Sequence, residues 1–186
     1  MYPPAQGERL ITIAEYERMP KEDAYRTDLV RGRLVRSPPP ASLHGRLAAR
    51  LTSRLDEHVE ARGLGVVLAG AGAVLARDPD TVRGPDVSFY SHSRIPEAGY
   101  GTTFWGPPDL AVEIRSPSNR GPALREKLAD YFEAGVRVVW VVDPQARSVT
   151  VHEAGGRART LHEADTLTGD DVLPGFRLPL AAFFAL

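Results

Sequence analysis

Two carboxylates stand where a divalent cation and a phosphodiester could meet. Asp86 follows Pro85 at the head of Pro85-Asp-Val-Ser-Phe-Tyr90, and Glu113 lies inside Pro108-Asp-Leu-Ala-Val-Glu-Ile-Arg115. Phosphodiester hydrolysis with Mg²⁺ calls for a few carboxylate oxygens converging on one point, because the ion is hard and keeps several waters for nucleophile and leaving group. Strand alternation sends Leu110, Val112 and Ile114 to one face of the second segment and Asp109, Ala111, Glu113 and Arg115 to the other. A carboxylate within an otherwise apolar strand is costly to desolvate unless it meets a cation or a metal. Glu113 therefore either faces a metal or pairs with Arg115, and Pro-Asp ahead of a strand is also an ordinary turn. Lys127 lies at the edge of a helical stripe formed by Leu124, Leu128, Tyr131 and Phe132. From there it either reaches over the strand ends or snorkels to solvent. His44, with an unperturbed pKa near neutrality, can bind a phosphate or shuttle a proton; the alternative is a solvent-facing histidine in a first helical turn. His58, His92, His152 and His162 show no ligand spacing and read as surface residues.

These residues need elements to hold them. Thr12-Ile-Ala-Glu15 has the spacing of a capping box and opens a short helix that stops at Pro20. Asp28-Leu-Val-Arg-Gly-Arg-Leu-Val-Arg36 reads as a hairpin turning at Arg31-Gly32. After Pro38-Pro-Pro40, Ser42 is a candidate cap for a long helix whose Leu43, Leu47, Leu51, Leu55 and Val59 recur every four residues, with Gly63 closing it. The apolar run Val66 to Ala76 and the segment Pro85 to Tyr90 read as two adjacent strands, separated by the Asp78-Pro-Asp80 turn. Ser91 to Pro108 is a long loop without periodicity, a kind of segment that is usually functional or mobile. A strand from Asp109 to Arg115, a helix opened by Asn119 or its neighbours and ending at Gly135, and a buried strand from Val136 to Asp143 form a βαβ-like unit. Ser148 to His152 and Arg157 to Leu161 read as edge strands, and Pro174-Gly-Phe leads into a short apolar helix.

Composition narrows the function classes. The chain has 186 residues, 42% of them hydrophobic, which fits a single domain over 1–186 with its core between about residues 10 and 184. Lys plus Arg number 23 against 24 Asp plus Glu, so any contact with a polyanion must be local. Arg31, Arg33, Arg36, Arg46, Arg50 and Arg54 could supply such contacts, or could form a solvated helix face. The absence of cysteine removes disulfides, thiolate nucleophiles and sulfur-ligated metal centres. There is no signal-peptide pattern and no apolar stretch of the roughly 20 residues needed to span a bilayer, so the chain reads as cytoplasmic with no membrane partner.

Taken in order, Asp28-Leu-Val-Arg-Gly, His44, Arg83-Gly-Pro-Asp86, Pro108-Asp-Leu-Ala-Val-Glu113, Ser116-Pro-Ser118, Lys127-x-x-x-Tyr131, Ala134-Gly-Val136, Trp140-Val-Val-Asp-Pro144 and Pro174-Gly-Phe176 resemble the Uma-two family. That family is grouped with the restriction-endonuclease-like, PD-(D/E)xK nucleases. The resemblance implies an α/β (α+β) fold with a central mixed sheet flanked by helices. It implies a Mg²⁺ or Mn²⁺ site made by Asp86, Glu113 and the backbone carbonyl of Ile114. It also implies a catalytic lysine moved from the strand to the next helix, here Lys127, with His44 involved. Asp28 stands where the family usually has Glu, Pro122-Ala123 replaces an Arg-Asp pair, and Arg115 takes the place of the superfamily's usual lysine. Arg115 can bind phosphate but cannot act as a base. Asp28, Arg115 and Tyr131 are thus supporting or phosphate-binding candidates. The implied activity is metal-dependent DNA cleavage, with a homodimer inferred because cutting both strands calls for two sites. The competing readings are a silent nucleic-acid-binding or regulatory protein that keeps the fold, and a hydrolase of nucleotides or small phosphates.

Overall fold

A computed structural model of the chain describes residues 9–20, 24–101, 103–116 and 121–185. Among the described residues, two larger sheets, a two-stranded one and four α-helices carry the architecture. Helix α1 (Ile13–Arg18) starts at the expected capping box, with Thr12 and Glu15 satisfying each other's backbone amides. Strands β1 (Arg26–Val30) and β2 (Arg33–Ser37) form the expected hairpin, and Arg31 and Gly32 both take positive φ as a tight turn requires.

Helix α2 (Ser42–Arg62) ends at the expected Gly63, in the left-handed conformation. Its start differs from expectation. Ala41 is the capping residue, with no side-chain bond, and Ser42 is already helical. The buried stripe also opens one residue later than the fourfold spacing implied. His44, Leu47, Leu51, Leu55 and Val59 are buried, while Leu43 is 39% exposed, because the step from 44 to 47 keeps the stripe on one face at 3.6 residues per turn.

The apolar run from Val66 to Ala76 is two strands in different sheets. Strand β3 (Gly65–Ala69) ends at Gly70, whose positive φ turns the chain away, and β4 (Ala73–Ala76) follows. The short strand β5 (Thr81–Arg83), which periodicity did not reveal, precedes β6 (Val87–Ser91). Strand β7 (Leu110–Ile114), helix α3 (Pro122–Glu133) and strand β8 (Val138–Asp143) make the expected βαβ unit, with β7 and β8 parallel. Asn119 lies outside the described residues, as do positions 117 and 118 of the Ser-Pro-Ser motif. Strand β9 (Ser148–Glu153) is interior rather than an edge, because β10 (Ala158–Leu161) pairs on its far side. Pro174-Gly-Phe sits inside β12 (Leu173–Pro179), which pairs with the unanticipated β11 (Thr166–Gly169) before helix α4 (Leu180–Phe184).

The larger sheet runs β10-β9-β8-β7-β6-β3 and is antiparallel except at β7–β8; the smaller runs β2-β1-β5-β4. Leu110, Val112, Ile114 and Trp140 point to the core shared with α2, β12 and α4, while Ala111, Val139 and Val141 pack on the other face against Tyr131 of α3. Helices thus cover both faces of a mixed sheet. The loop from Ser91 to Pro108 is anchored by Trp105, which lies edge-on to Tyr90 and takes the Val74 amide on its carbonyl at 2.8 Å. None of its described residues lines the cleft that holds Asp86 and Glu113.

Candidate active site

Where the two sheets meet, residues 83 to 86 carry the chain from β5 to β6. Asp86 stands at that crossing with its amide bonded to Val112 O at 2.9 Å. Its Oδ2 accepts the Ile114 amide at 2.7 Å, and its Oδ1 accepts Arg26 Nη1 at 2.5 Å and His44 Nε2 at 3.0 Å. Burial alone would raise this carboxyl, but the His44 and Arg26 contacts outweigh it and hold the pKa at about 2. His44 is a buried partner of the carboxylate rather than a solvent-facing residue, and its Nδ1 is buried without a partner.

Glu113 lies on the opposite face of β7 from Ile114. Tyr131 donates to its Oε1 at 2.6 Å, and Lys127 Nζ lies 2.8 Å from Oε1 and 2.9 Å from Oε2. Of the alternatives left open by the strand pattern, pairing with Arg115 is absent: Arg115 is bonded to Asp143. Lys127 does not snorkel, because residue 127 precedes Tyr131 by one helical turn and both project onto β7. Burial pushes Glu113 up, and the nearby Asp86 charge adds to this against the opposing pull of Lys127. Burial opposes the charge on Lys127, yet Glu113, Asp28 and Asp86 together raise its pKa, so it stays an ammonium. Burial and Glu113 likewise hold the Tyr131 phenol protonated.

Asp28 supports this group from the smaller sheet. It accepts the Gly84 amide at 3.1 Å and Arg83 Nη1 at 3.4 Å, and lies 3.9 Å from Lys127 Nζ. Arg83 is gripped by Asp130 of α3 at 2.8 Å and 2.5 Å, and Arg31 reaches the same carboxylate at 3.2 Å. Arg26, Arg83 and Asp130 were given no role by sequence reasoning. Alternation along β1 places Arg26 on the face of Asp28, and Asp130 lies three residues after Lys127, spacings that mark a shared face but name no partner. Of the arginines considered for phosphate contacts, Arg31 pairs with Glu126, Arg50 with the carbonyls of Phe183 and Ala185, and Arg54 with Glu57.

A cleft of about 280 Å³ brings together Asp28, His44, Asp86, Glu113, Ile114 and Lys127. Arg115 lies outside it, lining a smaller pocket of about 100 Å³ that shares His44. Among the described residues no three His, Asp or Glu form a ready-made metal cage. The donor set nevertheless fits Mg²⁺, which is commonly bound by one or two carboxylates with water and phosphate completing the shell. The Ile114 N–H points at Asp86, and a strand residue's N–H and C=O leave on the same side, so its carbonyl faces the same edge.

A mixed sheet is covered by helices on both faces, and two carboxylates and a lysine meet beside its central strands. A solved structure described as "a putative nuclease belonging to DUF820" from Anabaena variabilis matches with a TM-score of 0.82 at 19% identity, covering 94% of this chain and 97% of that one. The model of the Uma2 family, described as "Putative restriction endonuclease", matches residues 13–181, and the chain belongs to that family. No curated protein matches the sequence. No helix among the described residues is long and apolar enough to cross a membrane.

Proposed function

We propose that the chain is a divalent-cation-dependent nuclease acting on DNA, in which Asp86, Glu113 and the Ile114 carbonyl hold Mg²⁺ or Mn²⁺ and Lys127 stands beside the attacking water. The observation that carries this reading is the meeting of Asp86, Glu113 and Lys127, from three separate elements, in one cleft. The bound cation would activate a water and neutralise charge on the scissile phosphate. Lys127, kept as an ammonium, serves by its charge rather than as a base, stabilising the nucleophile or the developing phosphorane. Tyr131 fixes the Glu113 carboxylate, and the Ile114 amide and His44 fix Asp86. Cleavage of both strands of a duplex calls for two such clefts, and a homodimer supplies them.

Purified protein incubated with plasmid and Mg²⁺ or Mn²⁺ should nick or linearise it. EDTA or Glu113→Gln should stop the reaction. A second reading, a silent nucleic-acid-binding protein, draws on the fact that protein donors already fill Asp86 Oδ1 and take one position on Oδ2. If wild type cuts nothing with either metal yet shifts DNA as well as Glu113→Gln does, the second reading replaces the first.

A further inference from the structure

Asp86 is a crowded carboxylate. Its Oδ1 takes hydrogen bonds from both Arg26 and His44, at 2.5 Å and 3.0 Å. A carboxylate oxygen offers two lone pairs, so Oδ1 has none left for a cation. One donor must therefore leave before Oδ1 can act as a ligand, whereas Oδ2, which accepts only the Ile114 amide, keeps one lone pair. The two donors to Oδ1 differ in their freedom to leave. The His44 side chain is 10% exposed and is fixed by the first turn of α2. The Arg26 side chain is 34% exposed, on a flexible stem at the first residue of β1 in the smaller sheet. Its other terminal nitrogen, Nη2, donates to Gly84 O at 3.1 Å, a bond that can keep the guanidinium at the cleft after Asp86 is released.

Resting on the metal-dependent reading above, we propose that Arg26 is a displaceable counter-ion. It neutralises Asp86 in the free protein and competes with the divalent cation for this carboxylate, at Oδ1 by occupying it and at Oδ2 by like-charge repulsion, so that parting Arg26 from Asp86 sets the affinity for metal. Burial explains why such a partner is needed. Asp86 is 6% exposed, and a carboxylate so far out of water is costly to leave unpaired. The same pairing holds the site together before metal arrives and weakens its hold on metal afterwards.

Competition makes a prediction that a merely structural arginine does not. Mn²⁺ binding without nucleic acid, followed by the electron paramagnetic resonance of the free ion, should tighten about tenfold or more in Arg26→Gln. That factor is the equivalent of about 1.4 kcal/mol, the scale of one charge-assisted hydrogen bond. Arg26→Lys, which restores a competing cation, should return the affinity close to wild type. Unchanged or weaker Mn²⁺ binding in Arg26→Gln, with binding lost in Glu113→Gln, overturns the proposal and leaves the metal reading intact. Equal Mn²⁺ binding by wild type and Glu113→Gln overturns both. Should Arg26→Gln fail to fold, wild type decides. On titration with Mg²⁺ the Arg26 Nε–H nitrogen resonance should shift and saturate together with the Ile114 amide; an Ile114 response with Arg26 unmoved overturns the proposal.

Discussion

At the scale of single residues, the cleft contains groups whose charged forms are held by their partners against the pull of burial. Asp86 is held at about 2 against an ordinary 3.8, although burial opposes this, because His44 and Arg26 favour its charged form. A depressed folded-state value means stability that is present above about pH 3.8 and lost as pH falls through about 2. The shift corresponds to about 2 kcal/mol for this buried carboxyl. Urea unfolding should therefore show Asp86→Asn about 2 kcal/mol less stable than wild type at pH 7, with the gap closing toward pH 2. A gap that stays constant over that range would mean the Asp86 charge does not help hold the fold. Lys127 makes a separate prediction. Its ammonium is placed for charge stabilisation, so Lys127→Ala should lower kcat by about 10²–10³-fold, as loss of one preorganised donor does, while the folded spectrum is kept. Single-turnover plasmid cleavage measures this directly.

At the scale of elements, α3 is tied to the smaller sheet by the Arg83–Asp130 pair, both side chains 6% exposed. Removing one partner of a buried pair leaves the other uncompensated, at a cost of about 3–5 kcal/mol. Asp130→Ala should show that loss in equilibrium unfolding, and replacing both residues with apolar side chains of similar volume should recover most of it. If Asp130→Ala unfolds like wild type, the Asp28 contact alone suffices for Arg83. Elements with strong local signals were legible in the sequence: the capping box at Thr12, the Arg31-Gly32 turn, the left-handed Gly63 and the β7–α3–β8 unit. Of the missed elements, β5 has three residues and β11 four, too few for alternation to show, and β12 carries Pro174 and Gly175 in its interior, which read as a break. The run from Val66 to Ala76 misled because both halves are apolar and only the turn at Gly70 shows that they enter different sheets. Glu113 stood out as a charge within an apolar strand, and Asp86 as the acid that follows a proline at the head of one. Arg26 and Asp130 did not, because an arginine on a hairpin and an acid on a helix resemble solvated residues until their partners are known.

At the scale of the whole molecule, the net charge of −1 offers no general attraction to a polyanion. Several arginines that sequence made available for phosphates are engaged within the fold, at Glu126, Glu57 and the carbonyls of the last helix. A footprint confined to the cleft would neutralise only a few phosphates. The logarithm of DNA affinity should then fall with the logarithm of salt concentration at a slope of about −2 to −4, at roughly 0.9 per phosphate. A much steeper slope, read by fluorescence anisotropy with a catalytically blocked variant, would point to a broad basic surface instead. The crossing between the sheets adds a consequence of its own. The Gly84 amide is bonded to Asp28 of the smaller sheet, and the Asp86 amide, two residues on, to Val112 of the larger one. The two neighbouring protons thus report on different halves of the molecule. If the smaller sheet opens locally, deuterium should replace the Gly84 proton well before that of Asp86, and the ratio of the two exchange rates would gauge how firmly the halves are docked.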